Sequence, residues 1–148
     1  MTFNPKKTAD VRMVHYTPSS AATINTGEKI IFDTKSVSTS GDGVSVDESG
    51  NFSFNEKCSY YMILSCDINR SSTSHSFEIT MRKTSDASTA LTPNEGASKI
   101  DYNRNNLIMS NFSLIGTLKN PTEDYFFHYS GNSAIINTDM DLLILEFY

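Results

Sequence analysis

Three features of this chain predict an all-β fold, an antiparallel sandwich or jelly roll. Ser, Thr and Asn supply roughly a third of its 148 residues, a composition that favours strands and turns over helices. About ten short segments rich in β-branched and aromatic residues are separated by Gly, Asn, Asp and Pro punctuation, the rhythm of two-layer β architectures. No segment carries a convincing amphipathic-helix period. The length suits one domain with one core.

Taken in order, residues 1–22 are polar and hold Pro5 and Pro18; they are expected to form an extended N-terminal arm suited to attachment, with 23–148 as the sandwich. Strand character begins inside that arm, at Val11–Tyr16. Glu28–Phe32 follows the turn Asn25-Thr26-Gly27, and Val44–Val46 and Asn51–Phe54 flank Asp47-Glu48-Ser49-Gly50. Next come Ser59–Ile68, Phe77–Arg82 and Leu107–Leu118; then, after Asn120-Pro121, Tyr125–Tyr129, Ala134–Asn137 and Asp141–Tyr148. The stretch Thr84–Asn106 has no period and is expected to be a surface loop.

Two of these strands are apolar on both faces: Tyr60-Tyr61-Met62-Ile63-Leu64 and Leu142-Leu143-Ile144-Leu145-Glu146-Phe147-Tyr148. In an antiparallel sandwich one face of a strand meets the core and the other meets water, so alternation is the default. With no helix to roof the second face, the natural cover is another copy of the chain; the competing cover is the long loop Thr84–Asn106. Cys58 and Cys66 fall eight positions apart in one strand, about 26 Å at the rise of an extended chain. That excludes a disulfide between them, and their shared parity with Tyr60, Met62 and Leu64 predicts buried thiols.

Charge and motif content exclude several functions. With 12 basic against 17 acidic residues and no cluster denser than Lys6-Lys7 or Arg82-Lys83, no nucleic-acid partner is expected. The start of the chain lacks the apolar core of a secretory signal, and no run reaches the roughly 18 apolar residues of a membrane helix, so no membrane partner is expected either. His15, His75 and His128 lie in separate elements without metal-ligand spacing. Asp47-Glu48, Glu123-Asp124 and Asp139/Asp141 read as solvated turn carboxylates rather than an acid–base pair. A cation held by Asp42, Asp47 and Glu48 is a weak alternative. The expectation is therefore no enzyme, no cofactor and no metal. Asn-x-Ser sequons at Asn51, Asn69 and Asn111 are what an Asn- and Ser-rich chain produces by chance. Tyr102 and Tyr129 suit either an interface rim or sugar stacking.

Three stretches carry a resemblance. Gly27-Glu28-Lys29-Ile30-Ile31-Phe32-Asp33 resembles the opening strand of the trimeric jelly-roll family of complement globular heads and tumour-necrosis-factor-like domains. Val46 to Tyr60, with Gly50, Phe52 and Tyr60 as its anchors, resembles the family block Tyr-Asp-x-x-Thr-Gly-x-Phe-x-x-Pro-x-x-Gly-x-Tyr, although Asn55 and Cys58 stand where the family has Pro and Gly. Phe126-Phe127-His128-Tyr129-Ser130-Gly131-Asn132 and the apolar C-terminal strand resemble the family's close. Such heads occur in phage virion proteins and in bacterial surface collagen-like proteins, and this chain has no collagen-type repeat.

The resemblance implies an antiparallel jelly-roll sandwich whose inner sheet packs around a three-fold axis. On that geometry Tyr61 and Ile63 face the axis, and Phe52, Phe54, Tyr60, Met62 and Leu64 fill the core. On the last strand Leu143, Leu145 and Phe147 are expected in the core, and Leu142, Ile144 and Tyr148 at the trimer interface. The function this implies is a structural protein of a bacteriophage particle, a homotrimeric capsid decoration or head-fibre protein on the virion surface, with the major capsid protein or other virion proteins as partners. The alternative is the tip of a tail fibre that binds a receptor or a host-surface glycan; a glycan hydrolase ranks last.

Overall fold

A computed structural model describes residues 11–38, 43–66, 68–70, 75–104 and 112–147. Its strands are β1 (Val11–Thr17), β2 (Ala22–Ile24), β3 (Thr34–Ser38), β4 (Val44–Val46), β5 (Phe52–Phe54), β6 (Ser59–Cys66) and β7 (Ile68–Arg70). They continue as β8 (His75–Lys83), β9 (Asp86–Ala90), β10 (Ile100–Arg104), β11 (Phe112–Lys119), β12 (Tyr125–Gly131), β13 (Ala134–Ile136) and β14 (Asp141–Phe147). A single 3-10 turn at Pro93–Glu95 is the helical content of the described residues. The first sheet runs β11-β6-β14-β1-β3 and the second β10-β8-β12-β5-β4, with β9 beside β8; a small third sheet runs β2-β13-β7. Every pairing is antiparallel. The two large sheets face one another as an antiparallel jelly-roll sandwich.

Alternation decides what fills the space between them. From the first sheet Val14, Tyr16, Tyr60, Met62, Leu64, Leu142 and Ile144 point inward, and from the second Phe52, Phe77, Ile79, Met81, Phe127 and Tyr129; all are buried. Phe54 is half-buried, its ring 4.7 Å from that of Tyr60. Phe52 sits at the centre of an aromatic cluster, edge-on to Tyr16 and Phe127 at 5.7 and 5.8 Å, arrangements that add to the area each ring removes from water. Cys58 is buried at the entry to β6. The side chains of Cys66 and Tyr102 lie outside the described residues.

Asp47 makes the β4–β5 turn, its carboxylate accepting from the amides of Ser49 and Asn51, both at 2.9 Å. The turn closes on Gly50 at φ +84°, a conformation that glycine adopts without strain.

Four expectations are corrected. Residues 11–22 are not an arm: β1 lies inside the first sheet between β14 and β3, because Val14 and Tyr16 alternate into the core while Pro18 ends the strand. Residues 1–10 lie outside the described chain. Glu28–Phe32 is not a regular strand; it touches β12 through one bridge, Lys29 to His128, and the ladder strand forms later, at β3. Thr84–Asn106 is not a loop but holds β9, the 3-10 turn and β10. Residues of β9 are exposed on both faces, and a strand with no buried face has no apolar period to read.

The fourth correction concerns β14. Leu142 and Ile144, expected outside, have no exposed surface, whereas Leu143 and Leu145 are half-buried and Phe147 is 38% exposed on the opposite face. The inward set is Leu142, Ile144 and Glu146. A carboxylate among core aliphatics needs partners for its charge, and Glu146 finds them at Oε2, where Tyr60 donates its hydroxyl at 2.6 Å and Gly43 its amide at 2.7 Å. The other oxygen, Oε1, accepts no hydrogen bond among the described residues and is met by charge alone, with Arg12 Nη1 at 3.5 Å. Tyr148 lies outside the described residues.

Candidate interaction surface

The face of the first sheet that points away from the sandwich is a continuous apolar field. Cross-strand register lays it out in rows. His15, Leu143, Ile63 and Ile115 stand opposite one another across β1, β14, β6 and β11; Met13, Leu145, Tyr61 and Thr117 form the next row, and Val11, Phe147, Ser59 and Lys119 the third. Directly opposed side chains lie within contact distance, so each row is one ridge. Val11 is 50% exposed, Ile115 43% and Met13 37%, while Tyr61, Ile63, Leu143 and Leu145 are half-buried. Tyr61 and Ile63 thus lie on the outward face as the parity of β6 predicts, and Leu143, Leu145 and Phe147 join them in place of Leu142 and Ile144.

Sequence reasoning missed Met13, Val11 and Ile115. The signal for the first two was present in Val11–Tyr16, where Val14 and Tyr16 share one parity and Val11 and Met13 the other, but assigning residues 1–22 to an arm removed them from the sheet.

The rim of the field is polar. His15 Nδ1 stands 3.0 and 3.1 Å from the two carboxylate oxygens of Asp141. Lateral growth of the sheet is blocked at the β11 edge by Gly96–Ser98, where Ser98 donates its amide to Ile115 O at 2.8 Å and Thr117 donates to Gly96 O. Cover for the apolar field must therefore come onto the face and not onto this edge.

The second sheet treats its outward face differently. Phe126 points out from β12 and is nonetheless only 2% exposed, capped by the ammonium of Lys29 at 4.3 Å from the ring centroid. Around it Arg82 donates to Thr80 Oγ1 at 3.1 Å and to Ala87 O at 2.9 Å, and Lys99 pairs with Glu78 at 3.0 Å. Burial, and then the positive charge of Arg82, hold the His128 imidazole below its usual range.

Grooves also open on the surface of the described residues. One of about 500 Å³ lies between β2 and Glu28–Ile31 and is floored by Ile24, Ile30 and Ile136. The other, about 370 Å³, lies between the Pro93–Gly96 turn and Thr117–Lys119, with Tyr125 at its base. Among the described residues no three His, Cys, Asp or Glu side chains gather as a metal site. Asp47 is held by its own turn and Asp42 lies outside the described residues. No helix among them is long and apolar enough to cross a membrane.

No protein-family model matches the sequence, and no curated protein matches it. Solved structures do share its fold. The Eiger TNF from S. frugiperda superposes with a TM-score of 0.60 at 9% identity, over 95% of this chain and 92% of that one. The PRD1 vertex protein P5 superposes with a TM-score of 0.50 at 14% identity, over 93% of this chain and 95% of that one. At such identities the likeness is one of fold, and it reaches across nearly the whole of each chain.

Proposed function

We propose that this chain is a non-enzymatic structural protein of a bacteriophage virion, a homotrimer joined through the outward face of β1, β14, β6 and β11 and displayed on the particle as a capsid decoration or the base of a head fibre. The observation that carries the reading is the apolar field of Met13, Tyr61, Ile63, Ile115, Leu143, Leu145 and Phe147 gathered on one sheet face. Fully burying an exposed side chain of this kind contributes about 1.5–3 kcal/mol; these are already partly covered, so each adds about 1 kcal/mol or less, and it is their number, seven per copy in three copies, that favours association. In the family that the sequence resembles, this is the sheet that surrounds the three-fold axis. The particle context draws support from the fold shared with the PRD1 vertex protein P5, and the major capsid protein or another virion protein is the expected partner.

Size-exclusion chromatography with light scattering tests the assembly. The purified chain is expected to run as three copies, Ile63→Asp to dissociate it, and Asp47→Ala, altered in a turn far from the sheet face, to leave it intact. A well-folded single copy at micromolar concentration overturns the reading. Antibody labelling of intact phage particles tests the location, and glycan binding by the trimer without capsid binding would favour the fibre-tip alternative.

A further inference from the structure

A second surface, formed by residues other than those of the apolar field, lies where the chain leaves β1. After Pro18 the chain forms β2, turns through Asn25–Gly27 and runs back as Glu28–Ile31. The two arms of this turn do not pair with each other. β2 pairs with β13, whereas the returning arm lies along β12: Tyr129 donates its amide to Glu28 O at 2.9 Å and Ile30 donates to Phe127 O at 3.0 Å. The 500 Å³ groove opens between the arms, a volume in the range of ordinary ligand sites.

Each wall of the groove carries a strand edge. Because Glu28 and Ile30 turn their polar groups toward β12, the N–H and C=O of Lys29 between them point away from it. Opposite, β2 is the edge strand of its own sheet. An extended backbone, with its alternating donors and acceptors, is the group that matches such edges. The floor is apolar, with Pro18, Ile24, Ile30 and Ile136 buried and Ile31 46% exposed at the lip. The rim is acidic. Asp33 accepts from the hydroxyl and amide of Ser19 at 2.6 and 2.7 Å, bonds that favour its ionised form, and Glu28 also lines the groove. The ammonium of Lys29 is directed away, to Asn51 Oδ1 at 2.8 Å and the ring of Phe126.

The geometry points to a binding site for an extended, cationic peptide segment of a partner protein, which adds a strand beside Glu28–Ile31, places an aliphatic side chain on the floor of Ile24, Ile30 and Ile136, and brings a Lys or Arg to Glu28 and Asp33. This site is independent of the trimer face.

The test is fluorescence anisotropy of the labelled hexapeptide Lys-Val-Lys-Ile-Lys-Val titrated with the full chain. Saturable binding is expected, weakened at least about tenfold by N-methylation of alternate peptide amides, by Glu in place of Lys in the peptide, and by Ile31→Lys in the protein, a tenfold change being 1.4 kcal/mol. Ile31→Lys should leave the copy number by light scattering unchanged, so failure here and failure of the trimer reading are told apart. Bound peptide should also slow hydrogen exchange at the Lys29 amide. No saturable binding, equal binding of the N-methylated peptide, or an unaltered Lys29 amide overturns the proposal.

Discussion

On the first sheet the side chains that point away from the sandwich include eight large apolar ones, Val11, Met13, Tyr61, Ile63, Ile115, Leu143, Leu145 and Phe147, beside His15, Ser59, Thr117 and Lys119; on the second they include Ser45, Ser53, Glu78, Arg82 and His128, with Phe126 sealed under Lys29. Both sheets obey the same two-residue alternation. What differs is how the outer half of the alternation is satisfied. The second sheet meets water with charge and hydroxyl and covers its one outward aromatic with its own lysine. The first sheet leaves eight large apolar side chains half-buried or exposed, and it is on this face that the proposed assembly rests.

The contrast breaks first under charge. Leu145→Asp places a carboxylate in the middle row of the apolar field, and the expected result is loss of the proposed trimer, with the midpoint for dissociation raised by about a hundredfold or more, since a buried unpaired charge costs several kcal/mol. Ser45→Asp, the same charge on the outward face of the second sheet, should leave the assembly unchanged. Sedimentation across a concentration series reads both, and equal behaviour of the two variants would remove the distinction between the faces.

The register of β14 gives the next largest effect. Ile144 has no exposed surface and Leu145 is half-buried, so truncations of the two separate core from surface along one strand. In the dissociated Ile63→Asp background, Ile144→Ala is expected to lower stability by about 2–5 kcal/mol and Leu145→Ala by about 1 kcal/mol or less, read by urea denaturation. The reverse order would restore the inverted register.

How far the sequence could be read follows from the same strand. On β6 the inward set of Tyr60, Met62 and Leu64 was legible, because Cys58 extended its parity. On β14 every position from Leu142 to Leu145 is aliphatic, and Glu146 supplies the parity signal with its usual meaning reversed. Its partners Gly43 and Tyr60 lie 103 and 86 positions away in the chain, and Arg12 is farther still; no local pattern encodes that a carboxylate will be met by them. β9 was illegible for the opposite reason, having too little burial to leave a period. The wide apolar face was visible in the sequence as two unalternating strands; its other members required β1 and β11 to be placed beside them.

Inside the sandwich the two sheets meet at the Glu146 network, and Tyr60→Phe measures what that junction contributes. Loss of the 2.6 Å bond to the buried carboxylate is expected to cost about 1.5–3 kcal/mol. The pH dependence carries a sign. Burial, and then the bond to Glu146, raise the Tyr60 phenol above its ordinary range, so the folded chain keeps a proton that the unfolded chain releases from about pH 10 upward. The stability tied to that proton is complete below pH 10 and falls as pH rises beyond it. Urea titrations between pH 9 and 11 should show a shallower loss in Tyr60→Phe than in the unaltered chain.

The smallest expected effect returns to the outward face of the second sheet. His128 is held below its ordinary range by burial and by Arg82, so as pH falls below about 6.5 the unfolded chain takes up a proton before the folded chain does. That uptake favours unfolding, and the stability tied to neutral His128 is present above this window and lost as pH drops through the lowered folded value. His128→Asn removes the titrating group while keeping a polar side chain on the face. The difference in melting temperature between pH 7.5 and 5.5 should therefore be smaller in His128→Asn than in the unaltered chain, since every other group is common to both. An identical pH slope in the two proteins would mean that the second sheet's outward face is as well hydrated at His128 as at Ser45, and that burial on this sheet stops at Phe126.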